Sequence, residues 1–264
     1  MNSQQLLQHL DEATLWQKPQ SDAPKYDLKK AYQDAKDVRQ IRLNRGEIPK
    51  GYKIGFTNRT IWQRYNVSGP IWGTVWDTTL SHFNKSKSLS LSLICQPRIE
   101  PEIVFSLSKT PPKSPTLQQL FECIDWIAPC FEIVQCHLPD WKFQIEDTVA
   151  DCGLHAHLKM GQPIPIQQIA PNAEQLHQQL SNAQCQLFKN NLPIDSGKGS
   201  YVLDSPLHAF QFFLEELRHE GLDIQAHDVV TTGTWTDAYA VQAGEHWHAE
   251  FSFPSTRIDI EFSK

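Results

Sequence analysis

Gln96-Pro97-Arg98-Ile99-Glu100-Pro101-Glu102-Ile103-Val104-Phe105 carries two acids at the head of an apolar run. In extended backbone, residues two apart point to the same face, so Glu100 and Glu102 are neighbours if this is a strand. Two adjacent carboxylates repel, and placing them beside a core is costly unless a cation neutralises them. A divalent ion is a natural partner, and an all-oxygen ligand set favours Mg²⁺ or Mn²⁺ over zinc. The competing reading is a solvated strand face with Arg98 as counter-ion.

Downstream, Ala128-Pro129-Cys130-Phe131-Glu132-Ile133-Val134 embeds one charge in an apolar β-like run. An unpaired carboxylate there would neutralise itself by taking up a proton, so Glu132 needs a partner. Two strands bearing Glu100, Glu102 and Glu132 could hold one metal ion and leave positions open for a substrate. A nearby lysine or arginine is the alternative partner. Upstream, Gly51-Tyr52-Lys53-Ile54-Gly55-Phe56-Thr57 sets a lysine among glycines and apolar residues. Glycines allow close backbone approach, and a half-buried lysine can bind a carboxylate or shuttle a proton. A strand lysine that snorkels to solvent is the plain alternative.

Around these segments the chain reads as mixed α and β. Leu6, Leu7 and Leu10, then Leu28, Ala31, Ala35 and Val38, recur at helical spacing, which makes residues 1–50 a helical N-terminal region. Strands are expected at Tyr52–Phe56, Ser88–Cys95, Glu102–Leu107, Phe131–Cys136, Asp228–Thr231, His246–Phe253 and Arg257–Phe262. A helix is expected with Leu117, Leu120, Phe121 and Ile124 on its apolar face. A second is expected to start at Ser205-Pro206, a cap followed by proline in the first turn, and to stop at Gly221. Gly197-Lys198-Gly199 reads as a tight turn. Strands and helices do not alternate regularly, so an α+β fold is expected rather than a doubly wound parallel sheet.

The 264 residues include 24 Lys+Arg and 30 Asp+Glu, so the formal charge is 24 − 30 = −6. That sign disfavours nucleic acid and anionic membrane as partners. No apolar run reaches the roughly 18 residues of a spanning helix. Met1-Asn2-Ser3-Gln4-Gln5 lacks the basic and apolar regions of a signal peptide, so a cytoplasmic location is expected. The six cysteines form no Cys-x-x-Cys pair and are expected to be reduced, small and buried. His155-x-His157 and His246-x-His248 each put two imidazoles on one strand face, a spacing that needs further ligands to hold zinc. A surface or hydrogen-bonded role is the expectation for both pairs. For Trp72, Trp76 and Trp141 the default is core packing, with pocket lining as the alternative.

Taken in order, several segments resemble the bacterial 2-keto-4-pentenoate hydratases and 4-oxalocrotonate decarboxylases of the fumarylacetoacetate hydrolase superfamily. They are Gly51–Thr57, Gln96–Ile103, Phe131–Val134, Asp140-Trp141, Asp147–Asp151, Gly197–Gly199 and Asp228–Gly233, which together span nearly the whole chain. The resemblance implies one catalytic domain over residues 1–264, a mixed-sheet roll with helices outside, and a role in aromatic-compound catabolism. It implies a Mg²⁺ or Mn²⁺ site on Glu100, Glu102 and Glu132, the acids that electrostatics singled out, with Lys53 facing the substrate as catalytic residue. Thr232 and Gly233 fall in the family's substrate-side loop, and His155 flanks the substrate wall. The implied substrate is a small 2-oxo or 2-hydroxy acid, and the implied assembly is a homo-oligomer, with association to a related decarboxylase or hydratase.

The implied chemistry is hydration of a 2-hydroxydienoate. The alternatives are decarboxylation of a 4-oxalocrotonate-type acid, or a non-catalytic partner or ligand-binding paralogue. Three departures motivate the last of these. Cys152 and Leu154 stand where the family carries Asn and Ser, and His137 stands where it commonly carries arginine.

Overall fold

The computed structural model describes residues 1–65, 67, 69–83 and 87–264. Two mixed sheets form the framework. The strands of the larger sheet run in the order Ile71–Trp76, Pro49–Gly55, Val229–Thr231, Arg98–Leu107, Ile124–Val134, His155–Met160 and Leu80–His82. Tyr239–Ala240 and Ile164–Pro165 add short pairings to the Arg98–Leu107 and Ile124–Val134 strands. The smaller sheet is ordered Leu192–Lys198, Gln184–Lys189, His246–Ser252, Ser255–Ser263 and Ser88–Ser90. Most pairs are antiparallel. Pro49–Gly55 runs parallel to Val229–Thr231, Leu80–His82 parallel to His155–Met160, and Ser88–Ser90 parallel to Ser255–Ser263.

One apolar cluster joins the two sheets. Ile99, Ile103 and Phe105 from the larger meet Leu187, Trp247 and Phe251 from the smaller, and Phe210, Phe213, Leu214 and Leu217 of the Pro206–His219 helix join them. That helix starts as expected, with the Ser205 hydroxyl accepting from His208 N and Pro206 in the first turn. The Leu28–Asn44 helix is capped by Asp27, and its buried residues Ala31 and Val38 pack with Leu6 and Leu7 of the Ser3–Glu12 helix in a second cluster. Among the described residues no helix is long and apolar enough to cross a membrane. All six cysteines are free, and five of them are buried.

Several boundaries differ from the sequence expectation. The Leu117 helix ends at Phe121, and Ile124 instead opens the strand Ile124–Val134. That strand is buried from Ile127 to its end, so it has no two-residue alternation by which to mark its start. Only Ser88–Ser90 of the expected Ser88–Cys95 strand is paired, because the chain turns at Leu91–Ile94. Gly197 and Lys198 pair with Cys185 and Gln184 at a strand end instead of forming a turn. A side chain at Gly197 would strike the Trp235 carbonyl, so this glycine permits close backbone contact.

The pairing beside Glu102 has a break that positions the site. Val229–Thr231 pairs with Val104–Ser106, and Tyr239–Ala240 pairs with Arg98 and Ile99. Between them residues 232–238 leave the ladder opposite Pro101, which has no amide hydrogen to give. Gly233 N instead donates to Glu102, and Trp235 N to the Pro101 carbonyl.

Candidate metal centre

Strand register brings the three glutamates together. Glu100 and Glu132 are direct cross-strand partners, and Glu102 lies two residues along the same face from Glu100. One oxygen from each lies within 4.8 Å of one from the others. Glu102 and Glu132 are fully buried, and Glu100 is half-buried.

Each buried carboxylate has one oxygen fixed by the protein and one turned to the cluster. Glu102 Oε2 accepts from the Thr231 hydroxyl and from Gly233 N at 2.7 Å, while Oε1 has no hydrogen-bond partner. Glu132 Oε1 meets His155 Nδ1 at 2.9 Å. Its Oε2 lies 3.2 Å from Lys53 Nζ, an ion pair outside hydrogen-bond alignment, since Lys53 directs its aligned bond to the Gly153 carbonyl at 2.8 Å. Carboxylates anchored through one oxygen and open at the other suit metal ligation, with the anchoring groups setting their orientation.

Charge counting points the same way. Three carboxylates and one lysine leave −3 + 1 = −2 in a buried space. Burial pushes Glu100 and Glu132 up to about 7, and holds Glu102 well above the usual carboxylate range. Lys53 raises none of these values, and its attraction opposes the burial effect on all three. Burial alone would lower the Lys53 pKa, but Glu132, Glu100 and Glu102 outweigh it, so the ammonium stays charged. A divalent cation would cancel the remaining −2, and these residues therefore fit one.

A small cavity opens beside the cluster. Lys53, Glu100 and Thr234 are among its polar lining, while Phe56, Ile71, Val134, Trp141, Phe143, Leu154 and Ala238 supply apolar lining. Trp141 thus lines this cavity, whereas Trp72 and Trp76 are buried and line a different pocket with Arg42 and Cys152. The Arg98 guanidinium lies 4.2 Å over the Trp141 ring.

Of the residues singled out from sequence, Lys53, Glu100, Glu102 and Glu132 converge. Gly233 reaches the cluster through its backbone. Its φ is +104°, and a Cβ at this position would stand only 1.7 Å from Thr57 Oγ1, so the site is restricted to glycine. The Thr232 hydroxyl donates to the Ile103 carbonyl, and it is Thr234 that lines the cavity. His155 stands behind Glu132, with Nε2 2.9 Å from Thr79 Oγ1, and lines a separate open groove with Arg45 and His157. His137 is fully buried against Asp151 at 2.7 Å and lines neither. Thr231, Thr234 and the Gly153 carbonyl escaped the sequence reading. Thr231 is the one with a signal, since it follows the strand residues Val229-Val230 directly.

His246, His248 and Asp259 form a second cluster on adjacent strands. There Asp259 already accepts from Arg257 Nη2 at 2.8 Å and Nε at 3.1 Å, and His248 stacks on Phe188. This carboxylate has its cation; His246, 3.1 Å from it, has the hydrogen-bonded role expected, whereas His248 is buried with Nδ1 lacking a hydrogen-bond partner.

No family model matches the chain. Among curated proteins it is 30% identical over 228 residues to the 2-hydroxyhexa-2,4-dienoate hydratase of Comamonas testosteroni, covering 85% of this chain and 82% of that one. It is 27% identical over 224 residues to the 2-keto-4-pentenoate hydratase of Paraburkholderia xenovorans, covering 84% and 80%. Among solved structures it matches the 4-oxalocrotonate decarboxylase of Pseudomonas putida G7, complexed with magnesium and adipate. That match has a TM-score of 0.87 at 21% identity and covers 98% of this chain and 95% of that one.

Proposed function

This chain belongs to the 2-keto-4-pentenoate hydratase family, and from that premise we propose that it is a metal-dependent hydro-lyase. It adds water to a small 2-hydroxy-2,4-dienoate and gives a 4-hydroxy-2-oxo acid. The observation that carries this reading is the trio Glu100, Glu102 and Glu132, two of them with a buried oxygen that accepts no hydrogen bond, beside a charged Lys53 at the wall of a cavity.

Glu100, Glu102 and Glu132 would hold the ion, and their all-oxygen set suits Mg²⁺ or Mn²⁺. When bound, the ion supplies Lewis-acid stabilisation of the negative charge that develops on the substrate's C2 oxygen. Gly233 N and Thr231 orient Glu102, and His155 orients Glu132. Lys53 is protonated and lines the cavity, so it serves as the proton donor when the dienol becomes the 2-oxo-3-enoate: C5 gains a proton and the 2-hydroxyl loses one. Water then adds at C4 and a proton at C3. The apolar wall limits the access of bulk water to the dienol.

Decarboxylation of a 4-oxalocrotonate-type acid is the second reading, favoured by the close fold match to a decarboxylase. A non-catalytic role is disfavoured by the presence of all three glutamates and Lys53. The assembly we propose is a homo-oligomer able to associate with a related decarboxylase or hydratase, which light scattering of the purified chain, alone and mixed, would test.

The deciding experiment follows the ultraviolet absorbance of 2-hydroxypenta-2,4-dienoate with Mg²⁺ and after chelation. Metal-dependent loss of absorbance with formation of 4-hydroxy-2-oxopentanoate is expected. Release of CO₂ from 4-oxalocrotonate without hydration of the dienoate would replace the hydratase reading by the decarboxylase one.

A further inference from the structure

The smaller sheet brings together metal-ligating groups of a different kind from the glutamates. His246 and His248 lie two apart on one strand and share a face, and Asp259 is the direct cross-strand partner of His248. One atom from each of the three lies within 4.8 Å of one from the others. Spacing along the chain supplies two imidazoles, and the paired strand supplies the third ligand. His246 Nε2 and Asp259 Oδ1 stand 3.1 Å apart. That is close to the roughly 3.3 Å edge of a tetrahedron whose ligands sit about 2.0–2.2 Å from zinc.

His248 is the group that calls for an ion. It is only 3% exposed, its Nδ1 has no hydrogen-bond partner, and its Nε2 stands 4.0 Å from Glu250, beyond hydrogen-bond reach. An imidazole taken out of water without a hydrogen bond is costly, and a bond from nitrogen to a metal offsets that cost. Arg257 already puts positive charge at this place. Its Nη2 donates to Asp259 at 2.8 Å, and its Nη1 lies 3.6 Å from Glu250. The Arg257 side chain is 46% exposed, and an ion pair so open to solvent contributes little, so the guanidinium can yield to a metal ion. Glu250 faces Arg257 across the strands and is then free to serve as a fourth ligand.

We propose that His246, His248 and Asp259 form a Zn²⁺ site, with Glu250 or water completing the coordination. Two imidazoles and a carboxylate suit zinc, whereas the all-oxygen glutamates suit Mg²⁺ or Mn²⁺, so the chain sorts two ions by ligand type. The ion ties His246–Ser252 to Ser255–Ser263, and Arg257 competes with it for Asp259. This site stands independently of the proposed function.

The test titrates Zn²⁺ calorimetrically into the untagged full-length protein, stripped of metal, reduced, and held in excess Mg²⁺ to occupy the glutamates. Binding of a single Zn²⁺ per chain is expected. His246→Gln and Asp259→Asn should each weaken it at least about tenfold. Both side chains are partly exposed, so the fold should survive, and circular dichroism checks that it does. Arg257→Met should bind Zn²⁺ roughly 2–5-fold more tightly, the equivalent of one exposed ion pair no longer broken. Glu102→Gln should leave this binding intact. Absence of Zn²⁺ binding by the unmodified protein, or undiminished affinity in His246→Gln and Asp259→Asn, overturns the proposal. Weaker binding by Arg257→Met overturns it as well, and loss of binding in Glu102→Gln does so by placing the zinc at the glutamates.

Discussion

Glu102 shows how a single side chain can be read from sequence in part. Its charge inside an apolar run marks it as needing a cation, and the structure leaves its Oε1 unpartnered while Thr231 and Gly233 hold Oε2. Glu102→Gln keeps the shape and the acceptor for Gly233 N but replaces an anionic ligand by a neutral amide. Mn²⁺ affinity, measured by calorimetry, should fall at least a hundredfold, with turnover falling to background and far-ultraviolet circular dichroism unchanged. His155→Ala should act more mildly, because it removes the group that orients Glu132 and no ligand. Loss of such an orienting partner typically costs 10–100-fold in metal affinity. Equal losses in the two variants would make His155 more than an orienting group. The acids and Lys53 were legible because charge in an apolar run is conspicuous. The Gly153 carbonyl was not, because a backbone oxygen leaves no such mark. The place of His155 was equally hidden: sequence spacing gives its strand face, and only the packed sheet determines which carboxylate lies against it.

The strand His155–Met160 carries a pH dependence of its own. His157 Nε2 lies 2.7 Å from Ser81 Oγ, and burial, followed by the nearby charges of His155 and Lys159, pushes its pKa down to about 3. The unfolded chain has an ordinary value near 6.5. Below that pH the unfolded state takes up a proton that the folded state refuses. The stability due to the neutral ring is thus fully present above about pH 6.5 and is lost as the pH falls toward 3. The slope from this one group is at most about 1.4 kcal/mol per pH unit. Urea unfolding at pH 7 and pH 5 should therefore show a smaller drop for His157→Gln than for the unmodified chain, and identical drops would mean that the ring is not held neutral. At this scale the long, capped helices are the most legible elements, since Asp27 and Ser205-Pro206 signal their starts locally. Strands such as Ile71–Trp76 are the least, because that one is buried throughout and so lacks alternation. The ladder break opposite Pro101 was invisible because it depends on a strand about 130 residues away in sequence, so that its meaning appears only after pairing.

Across the whole molecule, an α+β fold was legible from the irregular succession of helices and strands, while the two-sheet arrangement was not. Tyr239–Ala240 is too short to announce itself, and both it and the expected strand at Ser88 pair with partners remote in sequence. The molecule as a whole also bears the cost of the buried acids. Without an ion, three carboxylates and one ammonium share a space from which water is excluded, and their mutual repulsion opposes folding. An ion that binds the folded chain alone stabilises it by mass action, by about 2.7 kcal/mol at a concentration one hundred times its dissociation constant. For a chain of this size each kcal/mol is worth about 2–4 °C, so Mg²⁺ or Mn²⁺ should raise Tm by roughly 5–11 °C over a chelated sample at matched ionic strength. Glu102→Gln makes the opposite prediction for the apo protein. It removes one repelling charge, so its Tm in chelator should equal or exceed that of the unmodified chain, while its response to Mg²⁺ shrinks to a degree or less. A variant that lost stability in chelator and kept the full metal response would place the ion elsewhere. An unmodified chain whose Tm ignored both metals would leave the three glutamates as a protonated, hydrogen-bonded cluster with Lys53 as their only counter-ion.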